Sequence, residues 1–163
     1  MTPNPNSTKT GPQQFQELYT SLKTTFDVKI IWLQITTPIK WEANIAKNID
    51  FINGIIEAAK TYGVTIGIYT SAYDWQQITH SWTGPILTPL CPLLNYLTIE
   101  PNNCYLDLTQ IETKFRYWNV LGTGPMAETP STFDDFHPFG PWTTASIKQF
   151  GQEEPICGQT VNR

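Results

Sequence analysis

Residues 28–70 constrain the fold more than any other stretch. Two β-branched, apolar runs, VKIIWLQI (28–35) and VTIGIYT (64–70), flank one long amphipathic segment. In that segment Ile45, Ile49, Ile52, Ile56 and Ala59 share one helical face, with Ile55 beside it. Gly63 follows where a helix C-terminal cap belongs. Nearly continuous apolar runs suit strands covered on both faces. Strand–helix–strand in this order predicts a parallel pair joined by a right-handed crossover. The class expected is α/β.

Neighbouring segments extend the pattern. Pro12 suits a first helical position, and Phe15, Leu18, Tyr19, Leu22 and Phe26 follow at helical spacing, predicting an amphipathic helix over 12–25. Ser71 reads as the N-cap of a helix over 72–80. FRYWNV (115–120) reads as another strand, and SIKQF (146–150) as the last one. A turn-rich aromatic loop, TPSTFDDFHPFGPW, lies between them. Residues 85–114 break the rhythm with Pro, two cysteines and an apolar stretch from Leu93 to Ile99. They read as an atypical insertion, since structureless segments of this length are uncommon inside compact domains. With 163 residues the chain has room for one domain, 1–163, and for only about four strands. A full eight-strand barrel needs roughly 200 residues or more. A partial α/β unit is expected.

Composition excludes several function classes. A net charge of −4 and the absence of any basic run argue against nucleic-acid partners. No apolar run is long enough for a transmembrane helix, so no membrane partner is expected. The opening MTPNPNSTKTG has no hydrophobic core, so no secretory signal is read there. Charged residues are only 15% of the chain, against a usual share of about 25%, and Thr, Asn, Gln and Ser carry the polar load instead. Six Trp, seven Tyr and eight Phe supply core material and suit a carbohydrate-binding surface.

The cysteines, 91, 104 and 157, are odd in number. Either Cys91 and Cys104 pair and leave Cys157 alone, or the partner of Cys157 lies outside this chain. No Cys/His spacing supports a zinc site, so no metal or other cofactor is expected. His80 and His137 read as surface or packing residues. Asn6-Ser7-Thr8 is an N-glycosylation acceptor pattern, meaningful in a secreted protein.

Several runs together carry a family resemblance. They are IWLQITTPIKW, NIDFINGIIEAAKTYGVTIGIYTSAYDW, FxxFxPFGxW over 133–142, and IKQF. The chain resembles the nematode and protist branch of glycoside hydrolase family twenty-five, the lysozymes of the Chalaropsis type, over residues 1–84 and about 115–163. The resemblance implies a (β/α) TIM-like barrel, here a partial one, secreted and monomeric. It implies cleavage of the β-1,4 muramyl bond of bacterial cell walls, and a relation to antibacterial innate defence. It also implies that the barrel begins upstream of Met1, with a signal peptide and a strand carrying an active-site Asp, so the chain reads as N-terminally truncated.

The same resemblance locates a chemical departure. The family's central motif is Trp-Leu-Asp-x-Glu at a strand end, with both acids pointing into one pocket. Here it reads Trp32-Leu33-Gln34-Ile35-Thr36. Glycoside hydrolysis needs an acid for the leaving oxygen and a second group for the sugar cation, and neither an amide nor a hydroxyl supplies that near neutral pH. No catalytic residue is therefore assigned. Other carboxylates have ordinary readings: Glu42 as a loop charge, Asp74 as a first-turn acid, and Asp134 and Asp135 as turn or cap residues. Sugar-binding candidates are Gln34, Tyr69, Trp118, Asn119 and Gln149, since amides reach hydroxyls and rings cover apolar sugar faces. The partner expected is cell-wall glycan. A lysozyme-like fold with doubtful hydrolysis is one reading. A non-catalytic glycan-binding protein, or a fragment without function, is the other.

Overall fold

A computed structural model describes residues 1–83 and 114–163. The pairing of Cys91 with Cys104 and all but Lys114 of the 85–114 segment lie outside the described residues. The elements are α1 (Gly11–Leu22), β1 (Ile30–Gln34), α2 (Ile45–Thr61), β2 (Thr65–Tyr69), α3 (Ala72–Thr79), β3 (Phe115–Trp118), β4 (Ile147–Gln149), β5 (Glu154–Ile156) and β6 (Gln159–Val161).

The first four strands form one parallel sheet in chain order, β1-β2-β3-β4. The α/β class expected from the sequence is the class observed. Parity divides the sheet. Ile31 and Leu33 of β1 and Ile35 just after it, Ile66 and Ile68 of β2, and Phe115 and Tyr117 of β3 are buried in the core with α1, α2 and α3. The alternate residues, Trp32, Gln34, Tyr69, Arg116 and Trp118, stand on the other side and are half-buried.

Local chemistry explains the helices. Thr10 and Gln13 form a reciprocal capping box ahead of α1, with Pro12 in the first turn. The helix stops at Leu22, three residues short of the sequence expectation, and Phe26 is 61% exposed in the loop beyond. Asn44 caps α2, and its end is a Schellman turn: Gly63 N–H donates to Lys60 O and Val64 N–H to Ala59 O. Gly63 sits at φ +67°, where a Cβ is unfavourable. The buried stripe of α2 is Asn48, Ile52, Ile55, Ile56 and Ala59. Ile45 and Ile49, expected to lead that stripe, are only half-buried. Asn48 takes the inward position because its amide donates to Glu42 O (2.9 Å) and Ile78 O (3.0 Å), while its oxygen accepts from Glu42 N–H (3.1 Å). A buried amide so bonded escapes the desolvation cost.

One further close approach is enforced by size. Trp32 lies across Gly67 of β2, and a Cβ there would stand 2.6 Å from the indole. At the other edge of the sheet the aromatic loop folds back. Phe115 stacks on Trp142 (4.5 Å between centroids) and meets Phe139 edge-on (5.2 Å), while Trp142 also meets Trp75 of α3 at 4.8 Å. Lys148 of β4, its side chain 2% exposed, donates to Pro130 O and Thr132 O and pairs with Asp135 at 2.8 Å. A cation buried this deeply requires such a set of acceptors.

β4 is not the last strand, as the sequence reading had it. β5 and β6 pair antiparallel as a hairpin, turning at Cys157 and Gly158, both with positive φ. Two positive-φ residues between paired strands give the turn whose twist suits a hairpin. Cys157 is exposed at this tip.

Candidate functional site

Gln34, Tyr69, Trp118 and Gln149 are the last residues of β1, β2, β3 and β4. In a parallel sheet the strands end together, so four distant points of the chain meet at one rim. Register makes Gln34 the neighbour of Tyr69, and Trp118 the neighbour of Gln149. Together with Thr36, Thr37, Asp74, Gln152 and Asn162 they line a cleft of about 330 Å³. Its lining is amide, hydroxyl and aromatic, with Asp74 as its one ionisable carboxyl.

Hydrogen bonds fix these side chains. The Gln34 amide donates to Thr36 Oγ1 at 3.1 Å, and its oxygen accepts from the Thr2 hydroxyl at 2.9 Å. Tyr69 Oη donates to Gln149 Oε1 at 3.0 Å, and Arg116 Nη2 donates to the same oxygen at 3.2 Å. Among the described residues the Gln149 NH₂ is left without a hydrogen-bond partner. The Arg116 guanidinium also lies over the Tyr69 ring at 5.0 Å, and that ring is 5.0 Å from Trp118. Burial pushes the Tyr69 hydroxyl above its usual pKa, opposed by Arg116 and reinforced by Asp74. Tyr69 thus remains a neutral donor at physiological pH.

Asp74 is 93% covered, since it is 7% exposed. Its Oδ2 accepts from the Ser71 hydroxyl at 3.1 Å, and Ser71 Oγ accepts from the Asp74 N–H, so the acid is locked to the N-terminus of α3. Burial raises its pKa, against the hydrogen bonds of Ser71 and the Thr37 backbone. Thr37 sits at φ 60°, ψ 72°. That left-handed conformation is strained for a β-branched residue, and strain of this kind gathers at functional rims.

Asn119 is placed elsewhere. Its amide donates to Asp135 Oδ2, and it lines a second, smaller cleft of about 180 Å³ with Tyr117, Trp118, Phe136 and His137. Tyr117 Oη donates to Asp135 Oδ1 at 2.8 Å. Burial disfavours the Asp135 anion, but Lys148, Tyr117 and Asn119 together outweigh it and hold the carboxyl at about 2. Asp135 is consequently an anchored anion that holds the loop. Glu42 and Asp134 line neither cleft. His80 and His137 are exposed.

Sequence reasoning passed over Arg116, Thr36 as a hydrogen-bond partner, and Gln152 and Asn162 near the C-terminal hairpin. Strand parity could have found Arg116, which is two residues before Trp118 on the same side of β3. Among the described residues no group of three or more His, Cys, Asp or Glu is placed to hold a metal ion. No helix among them is long and apolar enough to cross a membrane.

Comparison with known proteins agrees with these motifs. The family model described as lysozyme-like protein 1 matches residues 1–90 and 103–150. Lysozyme-like protein 7 of Caenorhabditis elegans is 42% identical over 164 aligned positions, covering all of this chain and 50% of that protein. Lysozyme-like protein 1 of the same organism is 40% identical, covering all of this chain and 47% of that protein. A probable GH family 25 lysozyme 2 of Dictyostelium discoideum is 28% identical over 129 positions, 79% of this chain and 45% of its own. The chain spans about half the length of the curated relatives it matches. No solved structure matches. On a family match over most of its length and on full-chain identity near 40%, the chain belongs to the lysozyme-like protein family, with GH family 25 lysozymes among its more distant relatives.

Proposed function

We propose that the cleft at the strand ends is a seat for bacterial cell-wall glycan. The chain would act as the glycan-recognising part of a secreted, monomeric lysozyme-like protein related to antibacterial defence. The observation that carries this reading is the convergence of Gln34, Tyr69, Trp118 and Gln149 on one rim. Their chemistry is that of a sugar site: amide NH₂ and carbonyl groups for hydroxyls, a neutral phenol, and an indole for the apolar face of a pyranose. The chain-order parallel sheet, with the proposed site at the C-terminal strand ends, supports reading the unit as a segment of a (β/α) barrel. We read 1–163 as one such unit.

Hydrolysis by an acid pair on β1 is not part of this proposal. Gln34 and Thr36 occupy those positions, and neither loses a proton near neutral pH. Asp74 supports a second, narrower reading, in which its burial-raised carboxyl protonates a leaving oxygen.

Retention of the full protein on insoluble peptidoglycan tests the first reading. Tyr69→Ala or Trp118→Ala should weaken retention several-fold, and no retention of the folded protein would refute it. Release of reducing ends, abolished by Asp74→Asn, would establish the second reading in its place.

A further inference from the structure

One sequence motif has no part in the cleft. Asn6-Ser7-Thr8 is the only Asn-X-Ser/Thr run in the chain, and its middle residue is not Pro. It lies in the turn ahead of α1. Ser7 N–H donates to Asn4 O at 3.1 Å, and Asn6 N–H donates to Asn4 Oδ1 at 3.2 Å. Asn6 and Thr8 are both exposed. Ser7 Oγ accepts from Lys9 N–H at 3.1 Å, whereas the Thr8 hydroxyl makes no hydrogen bond among the described residues.

The Asn6 amide is held in place but not used up. Its Nδ2 donates one hydrogen to Lys40 O at 2.9 Å. An amide nitrogen carries two hydrogens, and the second has no partner among the described residues. Replacing that second hydrogen leaves the bond to Lys40 intact. The residue before Lys40 matters as well. Ile39 is 90% exposed at the middle of the 3-10 turn Pro38–Lys40. A sugar attached to Asn6 therefore starts beside an uncovered aliphatic side chain, and a pyranose has an apolar face to lay on it. Asn6, Ile39 and Lys40 do not line the cleft, so the attachment point lies outside it.

We propose that Asn6 is an N-glycosylation site, and that the first sugar of its glycan lies over Ile39. The donor is an oligosaccharide carried on a polyprenyl diphosphate. Asn6 Nδ2 attacks C1 of the sugar. The N–C1 bond forms, the C1–O bond to the diphosphate breaks, Nδ2 gives up one proton, and the lipid diphosphate leaves. Nothing is oxidised or reduced. The Thr8 hydroxyl is the group two residues on that the acceptor pattern requires. Such donors are met in the secretory route, so the proposal rests on the secreted reading given above.

Mass spectrometry of the full protein from its natural source tests the site. Peptide N-glycosidase in heavy-oxygen water should convert Asn6 to labelled Asp in the tryptic peptide that ends at Lys9. Secreted protein with Asn6 unlabelled overturns the site and leaves the secreted reading intact. Protein found only in the cytosol overturns both. Among variants made in the same cells, Thr8→Ser should keep the label and Thr8→Ala should lose it. A label that persists in Thr8→Ala is ordinary deamidation and overturns the site. Melting temperatures of the secreted full protein test the contact with Ile39. Thr8→Ala removes the glycan but keeps the Asn6–Lys40 bond, and should lower the melting temperature by about 2 °C. In an Ile39→Ser background the same change should leave it unaltered. Equal shifts in the two backgrounds, or no shift in either, overturn the contact.

Discussion

The Gln34 amide donates to the Thr36 hydroxyl across 3.1 Å, so two side chains on the cleft wall hold each other in this chain. The bond needs a donor at 34 and an acceptor at 36. Two carboxylates there would repel. In Gln34→Asp/Thr36→Glu, crowding of like charges should raise both folded-state pKa values above the usual carboxylate range near 4. A raised acid pKa makes the folded form the better proton binder, so stability falls as pH rises. We expect the double variant to lose about 1–2 kcal/mol at pH 8 and little at pH 4. Urea midpoints of both proteins at the two pH values measure this, and an equal deficit at both would contradict it.

Trp32 needs the bare backbone of Gly67. In Gly67→Ala the new Cβ would stand 2.6 Å from the indole. The ring must then shift within a packed sheet, and about 2 kcal/mol should be lost. Gly63→Ala meets nothing within 4 Å but keeps a φ of +67°, and should cost about 1 kcal/mol from backbone strain alone. Chemical denaturation of the two variants side by side should preserve that order.

Lys148 and Asp135 join β4 to the aromatic loop. Lys148→Met leaves Asp135 without its cation and should cost about 3 kcal/mol, the low end for a broken buried pair because Asp135 is partly exposed. Asp135 has a folded-state pKa of about 2, below its unfolded value near 4. Its contribution is therefore present above pH 4 and lost as pH falls toward 2. Lys148→Met should flatten that acid limb. Thermal midpoints from pH 2 to pH 5 test the point, and an unchanged slope would count against it.

Asp74 has the opposite sign. Burial raises its folded-state pKa, so ionisation above its unfolded value near 4 works against the fold. Asp74→Asn should be at least as stable as the natural chain at pH 7, and that advantage should shrink to nothing below pH 4. Denaturant midpoints at pH 7 and pH 3.5 decide this; a variant weaker at pH 7 would show that the Ser71 and Thr37 bonds outweigh burial.

Much of this arrangement could be read from residue order. The 28–70 unit is legible because periods of two and 3.6 are both strong there, and Gly63 punctuates them. Strand parity places Gln34 and Trp118 on the same side of the sheet. What could not be read depends on tertiary partners. Asn48 displaces Ile45 and Ile49 from the inward stripe only because Glu42 and Ile78 offer it carbonyls. Asn119 turns to Asp135 because Lys148 has already brought that loop across. Asp74 reads as a helix-start acid in sequence, which it is, yet folding also brings it to the cleft wall. The β5–β6 hairpin is short, polar and exposed on one strand, so it offers almost no hydrophobic pattern.

The alternation along β1 separates two jobs that most chains must negotiate together. Ile31, Leu33 and Ile35 supply cohesion, while the side chains of Gln34 and Thr36 bond to each other on the cleft wall. Reactivity can consequently drift in such a lineage without endangering solubility or shape. A rim side chain can be exchanged on such a scaffold while the buried face of the same strand keeps the fold. Substitutions at the rim and in the core should accordingly separate, the first read in binding and the second in melting temperature.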